Sequence, residues 1–195
     1  TILSEEKSQS EQKATFKKEV FEGLSLNPKS LPSKFFYDDQ GSQIFSDITE
    51  LKEYYPTRCE HNIFMKYKKS IVSQIPSNEK INIIELGAGD GRKTKVLLKE
   101  LLQSKKEVEY IPIDISRYAI KRLLSNLSET FPTLKTYGVV GEFSPGLKWV
   151  REKKEGKNVV LFLGSNLGNF SHEQAILFLK EIRNSLNRHD FLFIG

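Results

Sequence analysis

The sequence is poor in the features that mark secreted and membrane proteins. Its 195 residues include a single cysteine, Cys59, which cannot form an internal disulfide and is typical of a reducing compartment. No apolar run approaches the roughly 20 residues needed to span a bilayer. The start, TILSEEKSQSEQK, lacks the apolar segment of a signal peptide. We therefore expect a cytoplasmic protein with no membrane partner.

Histidine is also scarce, and basic residues are not interleaved with aromatic ones. The three histidines, His61, His172 and His189, are far apart and lack the spacing of metal ligands, so we predict no metal site. The net charge of +5 comes from lysine-rich runs such as 68–74 and 151–157. Such runs are typical of solvated helix faces, whereas a nucleic-acid groove combines basic and aromatic residues. We predict no nucleic-acid partner.

The apolar pattern from residue 80 onward predicts a parallel α/β sheet. Five apolar runs rich in β-branched residues predict strands at 81–86, 108–115, 134–141, 158–164 and 190–194. Amphipathic segments separate these runs, and Ser116 and the Ser171-x-x-Gln174 capping box are typical helix starts. Strands buried on both faces and alternating with helices predict a doubly wound fold.

Residues 1–79 follow a different pattern, which predicts a helical cap with long ordered substrate-side loops. An apolar stripe runs through Phe16, Val20, Phe21 and Leu24. Thr57-x-x-Glu60 resembles a second capping box, with Ile63, Phe64, Tyr67, Ile71 and Ile75 facing inward after it. The predicted division is therefore a cap at 1–79 and a Rossmann-like core at 80–195. Because a domain rarely ends on a buried strand, we expect the sheet to be incomplete at its C-terminal edge.

The glycine loop ELGAGDGRKT (85–94) follows the first predicted core strand and suggests three ligand classes. A phosphate-binding P-loop needs glycine before the lysine, where Arg92 stands. A dinucleotide loop needs its third glycine three residues after the second, yet Gly91 follows Gly89 by two, and Asp90 would repel a pyrophosphate. S-adenosylmethionine (SAM) carries a sulfonium cation that an acidic loop stabilises. The loop alone leaves all three possible.

Acidic residues at successive strand ends favour SAM. Asp114 ends the second strand, where a carboxylate can bind both hydroxyls of a ribose. Glu142 ends the third, as an acceptor for the adenine amino group beside the Phe143 ring. The alternative is that exposed strand ends are simply often charged. The fourth strand ends in GSNLGN (164–169), where Asn169 faces a second ligand or serves as a turn residue.

Four stretches together resemble a known family. They are KSLPSKFFYDDQGSQIFSDITELKEYYPTR, the ELGAGDGRKT loop, YIPIDIS and VVLFLGSNLGNF. In this order and spacing they resemble the histidine-specific SAM-dependent methyltransferases of ergothioneine biosynthesis, which trimethylate the α-amine of histidine to hercynine. The resemblance extends from about residue 10 to the end. It implies a class I (Rossmann-like) SAM-methyltransferase core, SAM as cofactor, an amino acid as substrate, and an N-terminal helical region that helps close the site.

The resemblance also implies roles for individual residues. By matching position, the cofactor contacts are Gly87, Lys93, Asp114, Glu142 and Phe143, the substrate contacts are Tyr54, Asn169 and Gly164, and the catalytic groups are Tyr37 and Asn169. A lysine in the first turn of a helix opposes the helix dipole, which is understandable if Lys93 meets the methionine carboxylate of SAM. Arg92 is expected to face solvent. Pro56 is expected to hold Tyr55 extended, so that one phenol of the Tyr54–Tyr55 pair points inward.

The sequence differs from the family pattern at two places, and three alternative functions are considered. Asp90-Gly91-Arg92 stands where the family has small polar residues and Glu, and Glu142 replaces the commoner Asp. The family segment that recognises imidazole lies beyond residue 195, so histidine as the substrate rests on analogy. The alternatives are a methyltransferase for another amino acid such as tryptophan, a non-catalytic SAM-binding module and a nucleotide-dependent enzyme. We expect a monomer.

Overall fold

The computed structural model describes residues 2–4, 9–75, 79–104 and 106–195. Within these residues seven parallel strands form one sheet. The strands are β1 (Ile2–Ser4), β2 (Ile81–Leu86), β3 (Val108–Asp114), β4 (Lys135–Thr136), β5 (Gly138–Val140), β6 (Lys157–Phe162) and β7 (Phe191–Ile194). Their order is β1-β5-β3-β2-β6-β7, with β4 also beside β3. The chain therefore builds the sheet outward in both directions from β2, and the predicted doubly wound α/β fold is confirmed.

The described helices cover both faces of this sheet. They are α1 (Gln9–Ser25), α2 (Asp39–Glu50), α3 (Tyr55–Ser73), α4 (Thr94–Gln103), α5 (Arg117–Thr130), α6 (Phe143–Lys153) and α7 (His172–Ser185), with short 3-10 helices at Ser33–Phe36 and Asn166–Asn169. Among these helices, none combines the length and apolar character needed to cross a membrane.

Side chains of the central strands point alternately to the two faces of the sheet, and each face has its own hydrophobic core. Ile81 and Ile83 of β2 pack on one face with Phe64 of α3 and with α4 and α5 residues. Ile84 and Leu86 pack on the opposite face with residues of α6 and α7. Successive side chains of a strand point to opposite faces, so strands covered on both sides must be apolar throughout. All six residues of β2 are buried, which explains the unbroken run INIIEL.

The switch in winding direction decides where a ligand can bind. β2 lies between β3 and β6, so the loops that follow β2 and β6 lead to helices on opposite faces of the sheet. In open α/β sheets, this divergence leaves a crevice outside the carboxyl ends of the strands. The glycine loop follows β2 and the GSNLGN segment follows β6, which brings the two segments to the same crevice.

Two helix starts agree with the sequence prediction and one does not. Ser116 and Ser171 cap α5 and α7, and Ser171 with Gln174 forms the complete capping box. The predicted box at Thr57 is wrong, because α3 begins two residues earlier at Tyr55 with Pro56 in its first turn. Pro56 therefore does not hold Tyr55 extended, since proline is well tolerated at a helix start.

Several side chains predicted to be inward are exposed. Ile63 and Tyr67 of α3 each expose nearly half of their surface, whereas Phe64 and Ile75, which were predicted to face inward with them, are buried. The helical period of α7 places Ile176, Leu177, Leu179, Ile182 and Leu186 on one face. Ile182 is buried and Leu179 and Leu186 pack against the core, whereas Ile176 and Leu177 are exposed and Phe178 is buried. The stripe on α1 is also largely exposed, although Phe16 stacks edge-on against Phe35 with ring centroids 4.9 Å apart.

Two further features of the strands differ from the prediction. The single strand expected at 134–141 is divided into β4 and β5 at Tyr137. The strand near the end of the sequence, β7, is exposed rather than buried, because within the described residues it lies at the edge of the sheet.

Helix α2 and strand β1 were not predicted. Helix α2 lies within the segment predicted as loops, and β1 pairs with β5. The proposed division at residue 79 stays a prediction, with β1 as an N-terminal contribution to the core sheet.

Candidate functional site

A cleft of about 890 Å³ opens at the carboxyl ends of the strands, between the sheet and the N-terminal helices. All nine residues predicted for the site line it: Tyr37, Tyr54, Gly87, Lys93, Asp114, Glu142, Phe143, Gly164 and Asn169. The cleft lies within the range of about 300–1,000 Å³ typical of small-molecule sites. Chain folding thus brings the predicted residues together, and their individual roles stay predictions.

Asp114 joins the end of β3 to the glycine loop. Its Oδ2 accepts a hydrogen bond of 3.1 Å from the Gly89 amide, and its Oδ1 accepts one of 2.9 Å from the Ser116 amide. Burial raises the pKa of the Asp114 carboxyl, and these backbone hydrogen bonds partly oppose that rise. Each carboxylate oxygen can accept two hydrogen bonds, so Asp114 keeps acceptor capacity toward the cleft.

Glu85 is the first residue of the glycine-loop segment, belongs to β2 and is 2% exposed. Its Oε1 accepts a hydrogen bond of 2.6 Å from the Thr94 hydroxyl, and its Oε2 accepts one from the Tyr110 hydroxyl. Burial raises the pKa of Glu85 to about 7, although both hydrogen bonds act in the opposite direction. The first acid of the glycine loop therefore links β2, β3 and the start of α4.

Glu142 and Phe143 border the cleft at the start of α6. The Phe143 ring packs against Phe162 and Phe178 at centroid distances of 5.8 and 5.7 Å, and a Cβ on Gly87 would lie 3.6 Å from it. Glu142 is half exposed and pairs with Lys34 at 3.3 Å. A flat, apolar surface beside a carboxylate suits an aromatic ring that carries an amino group.

Three further polar side chains, those of Tyr37, Tyr54 and Asn169, lie close together in the cleft. Tyr37 follows the 3-10 helix Ser33–Phe36, Tyr54 precedes α3, and Asn169 ends the second 3-10 helix. The pKa of the Tyr37 phenol is raised by burial and then by Tyr54 and Asp114, and a side-chain hydrogen bond with Asn169 opposes the rise. The Phe45 ring lies between the two tyrosines, at centroid distances of 5.9 and 6.1 Å.

Lys93 and Gly164 are joined by a residue that the sequence did not single out for the site. Glu60 of α3 accepts a 3.0 Å hydrogen bond at Oε1 from the Gly164 amide and forms an ion pair through Oε2 with Lys93. Lys93 therefore meets a protein carboxylate. Its neighbour Arg92 is half exposed, as expected, but pairs with Glu50 of α2 at 2.5 Å.

Sequence patterns offered little help with Glu60 and Lys34. Glu60 was interpreted as part of a capping box that does not form. Its contacts with residues distant in sequence were therefore not predicted. Lys34 lies in a loop-like segment and pairs with Glu19 at 2.8 Å as well as with Glu142. Both residues act across more than one hundred positions of the chain. Among the described residues, no cluster of three or more His, Cys, Asp or Glu side chains could hold a metal ion.

Residues 16–195 match the family described as histidine-specific methyltransferase, SAM-dependent. The chain belongs to this family. Membership in the histidine-specific methyltransferases confirms the predicted family, the class of enzyme and SAM as the cofactor. The general part of the predicted function, membership in a family of SAM-dependent N-methyltransferases that act on small molecules, is likewise confirmed.

Relatives within this methyltransferase family differ in the substrates that their names state. The histidine N-alpha-methyltransferase of Mycolicibacterium smegmatis is 32% identical over 179 residues, which cover 92% of this chain and 54% of that protein. The 4-dimethylallyltryptophan N-methyltransferase easF of Claviceps purpurea is 32% identical over 171 residues, covering 85% of this chain and 49% of that protein. The chain thus spans about half the length of these curated relatives.

A solved structure supports the fold of this family member. Magnesium protoporphyrin IX methyltransferase (ChlM) from Synechocystis PCC 6803, with bound SAM, matches with a TM-score of 0.53 at 14% identity. The match covers 81% of this chain and 74% of that one. At this identity the likeness concerns the fold alone, and it confirms the predicted class I SAM-methyltransferase architecture.

Proposed function

We propose that this protein is a SAM-dependent N-methyltransferase that methylates the α-amine of L-histidine to give hercynine. The observation that carries the proposal is the meeting of Tyr37, Tyr54 and Asn169 in one cleft with Asp114 and Glu142. This arrangement supplies both neutral hydrogen-bonding groups for an amine and acids for a cofactor. Family membership supports the reaction class.

The residues of the cofactor side fit SAM chemically. Asp90, Asp114 and Glu142 line the cleft, and acids suit a sulfonium cation and hydroxyl donors. A Cβ on Gly89 would have no atom within 4 Å, so the loop leaves room for a ligand. In this proposal Asp114 binds the ribose, Glu142 the adenine amino group and Lys93 the methionine carboxylate, while Gly87 and Phe143 form the adjoining surface. When bound, SAM supplies an electrophilic methyl group on a cationic sulfur.

The substrate side must present an unprotonated amine. Because the Tyr37 pKa is raised, its phenol is neutral near pH 7 and can accept a hydrogen bond from the amine without taking its proton. The Asn169 amide oxygen is a second acceptor. If the two N–H groups of the amine point to Tyr37 and Asn169, its lone pair points away from both residues. Desolvation disfavours the ammonium form, so the proton leaves to solvent before the reaction. Tyr37 and Asn169 therefore orient the nucleophile, and Tyr54 and Gly164 border the substrate.

We further propose that the two segments of the chain divide these tasks. Residues 80–195 form the cofactor-binding core, and residues 1–79 provide the cap that carries Tyr37 and Tyr54. A monomer suffices for this arrangement, because all nine proposed site residues come from one chain.

An indole amino acid is a second candidate substrate. The specific observation in its favour is the similarity to the 4-dimethylallyltryptophan N-methyltransferase, which matches at the same 32% identity as the histidine enzyme. Both candidates present an α-amine, so the geometry around Tyr37 and Asn169 suits either one. The side-chain pocket alone would discriminate between them.

The test is to incubate the protein with SAM and a panel that includes histidine, tryptophan and 4-dimethylallyltryptophan, and to measure added methyl groups by mass spectrometry. The proposal expects one to three methyl groups on histidine, with the N-acetylated amino acid as an unreactive control. Methylation of the indole substrates alone would replace the first candidate by the second. Binding of SAM without methylation of any amino acid would contradict the proposed function.

A further inference from the structure

We propose that Glu60 is a positioning residue of the cofactor site, which holds the Lys93 ammonium and the Gly164 backbone in place for the carboxylate end of SAM. The inference rests on the proposed function, in which Lys93 binds that carboxylate. It assigns a task to a side chain that lies on the cap helix α3, outside the lining of the cleft.

The contacts of Glu60 connect three segments of the chain. Its Oε1 accepts the 3.0 Å hydrogen bond from Gly164, which follows β6, and its Oε2 pairs with Lys93, which precedes α4. The Lys93 Nζ lies 3.2 Å from the position that a Cβ on Gly164 would occupy. One carboxylate thus sets the positions of two cleft-lining residues from two different strand ends.

The surroundings make this ion pair stronger than a surface pair. The Glu60 and Lys93 side chains are 14% and 18% exposed, so solvent screens them little and charge-assisted hydrogen bonds gain strength. An ammonium group has three hydrogens. One is donated to Glu60, and in this proposal the others bind a ligand carboxylate in the cleft.

Glu60 also counters a disadvantage of Lys93. A lysine immediately before a helix meets the positive end of the helix dipole, and its long side chain has many rotamers to lose on binding. An anchored carboxylate offsets the unfavourable field and selects one rotamer before the ligand arrives. Preorganisation of this kind raises affinity by reducing the entropy lost on binding.

The decisive variant is Glu60→Gln. Glutamine keeps the size of the side chain and an acceptor for the Gly164 amide but removes the charge that holds Lys93. We expect the affinity for S-adenosylhomocysteine, measured by calorimetry, to fall about tenfold, equivalent to about 1.4 kcal/mol. The affinity for adenosine, which lacks the amino-acid moiety, should change by less than about twofold because the adenosine contacts are intact. Glu53→Gln, an exposed glutamate in the same cap segment, is the matched control and should leave both affinities unchanged.

A double-mutant cycle adds a second measurement. Lys93→Met should itself weaken S-adenosylhomocysteine binding, and adding Glu60→Gln to Lys93→Met should weaken it no further, since Glu60 acts through Lys93. Equal losses of adenosine and S-adenosylhomocysteine affinity in Glu60→Gln would mean that Glu60 only maintains the fold and would overturn the inference. Tighter binding in Glu60→Gln would mean that Glu60 competes with the cofactor, which also overturns it.

Failure of the inference is distinguishable from failure of the proposed function. If the wild-type protein binds SAM and methylates an amino acid while Glu60→Gln behaves identically, only the role of Glu60 is wrong. If the wild-type protein binds neither SAM nor S-adenosylhomocysteine, the proposed function fails, and the role of Glu60 fails with it.

Discussion

The Thr94 hydroxyl donates a 2.6 Å hydrogen bond to Glu85 Oε1 and so ties the first residue of α4 to the buried acid near the end of β2. Tyr110 of β3 donates to the other carboxylate oxygen. Because Glu85 is buried, its pKa is raised from 4.5 to about 7. A carboxyl that titrates near neutral pH therefore lies at the start of the glycine loop.

Replacing Glu85 by glutamine should reduce the pH dependence of stability. A raised pKa means that the folded state binds the proton more tightly than the unfolded state, so the stabilisation is fully present below pH 4.5 and is lost as pH rises through 7. The wild-type free energy of unfolding should thus fall between pH 5 and pH 8, by on the order of 2–3 kcal/mol from this group. Urea denaturation at several pH values measures this slope. In Glu85→Gln the slope should flatten, whereas the exposed Glu129→Gln control should retain it. Parallel wild-type and Glu85→Gln curves would contradict the prediction.

Alanine at Gly91 should be much more damaging than alanine at Gly89. Both glycines have positive φ, 61° and 52°, which costs an alanine about 1–2 kcal/mol. A Cβ at Gly91 would also lie 2.5 Å from Leu123 Cδ1, whereas one at Gly89 would contact nothing within 4 Å. The steric conflict adds about 1–3 kcal/mol. Chemical denaturation of the two variants should reveal the difference, and equal destabilisation would show that Leu123 moves aside freely.

Changing Asp114 to asparagine should weaken cofactor binding. The carboxylate accepts hydrogen bonds from the Gly89 and Ser116 amides, and an asparagine amide nitrogen would oppose one of these donors and also present a donor to a ribose hydroxyl. Losing charged hydrogen-bond acceptors costs about 1.5–3 kcal/mol, so we expect S-adenosylhomocysteine affinity to fall at least about tenfold by calorimetry. The exposed Asp39→Asn is the control. Unchanged affinity in Asp114→Asn would remove Asp114 from the cofactor site.

Removing the Tyr37 hydroxyl should slow methylation while leaving cofactor binding intact. Phenylalanine keeps the ring but loses the acceptor that orients the amine, a change worth about 1–1.5 kcal/mol or about tenfold in kcat. Since the Tyr37 pKa is raised above its ordinary value, the wild-type rate should show no loss from ionisation of this phenol below about pH 9. Steady-state kinetics of Tyr37→Phe and of the exposed control Tyr55→Phe measure both effects. A Tyr37→Phe enzyme with normal kcat would assign the orienting role to Asn169 alone.

The core strands were predictable because their signal is local. Strands covered on both faces must be apolar at every position, and this is visible in INIIEL without knowledge of their neighbours. The same holds for the caps at Ser116 and Ser171, where a side chain bonds an amide three residues away. Two features of the strands depended on their neighbours in the sheet and were not predictable locally. These are the division of the third predicted strand at Tyr137 and the exposure of β7.

The inward faces of the N-terminal helices were less predictable. Of the α3 residues that the helical period predicts to face inward, Phe64 packs on the sheet, whereas Ile63 and Tyr67 are about half exposed. Helix α2 was missed although Ile44, Phe45 and Ile48 recur at helical spacing, because the proline, glycine and aromatic content of the surrounding segment favoured loops. Which face of such a helix is covered depends on elements distant in sequence.

The sequence by itself determined the sheet, the glycine loop and the ordered acids at the strand ends, because strand burial, helix capping and the backbone of the loop depend on residues close in the chain. Tertiary structure alone decided which charges meet. Lys93 pairs with Glu60, Arg92 with Glu50 and Glu142 with Lys34. These pairs join segments more than thirty positions apart, and a salt bridge forms only where packing brings both side chains within about 4 Å, a distance that no local pattern encodes.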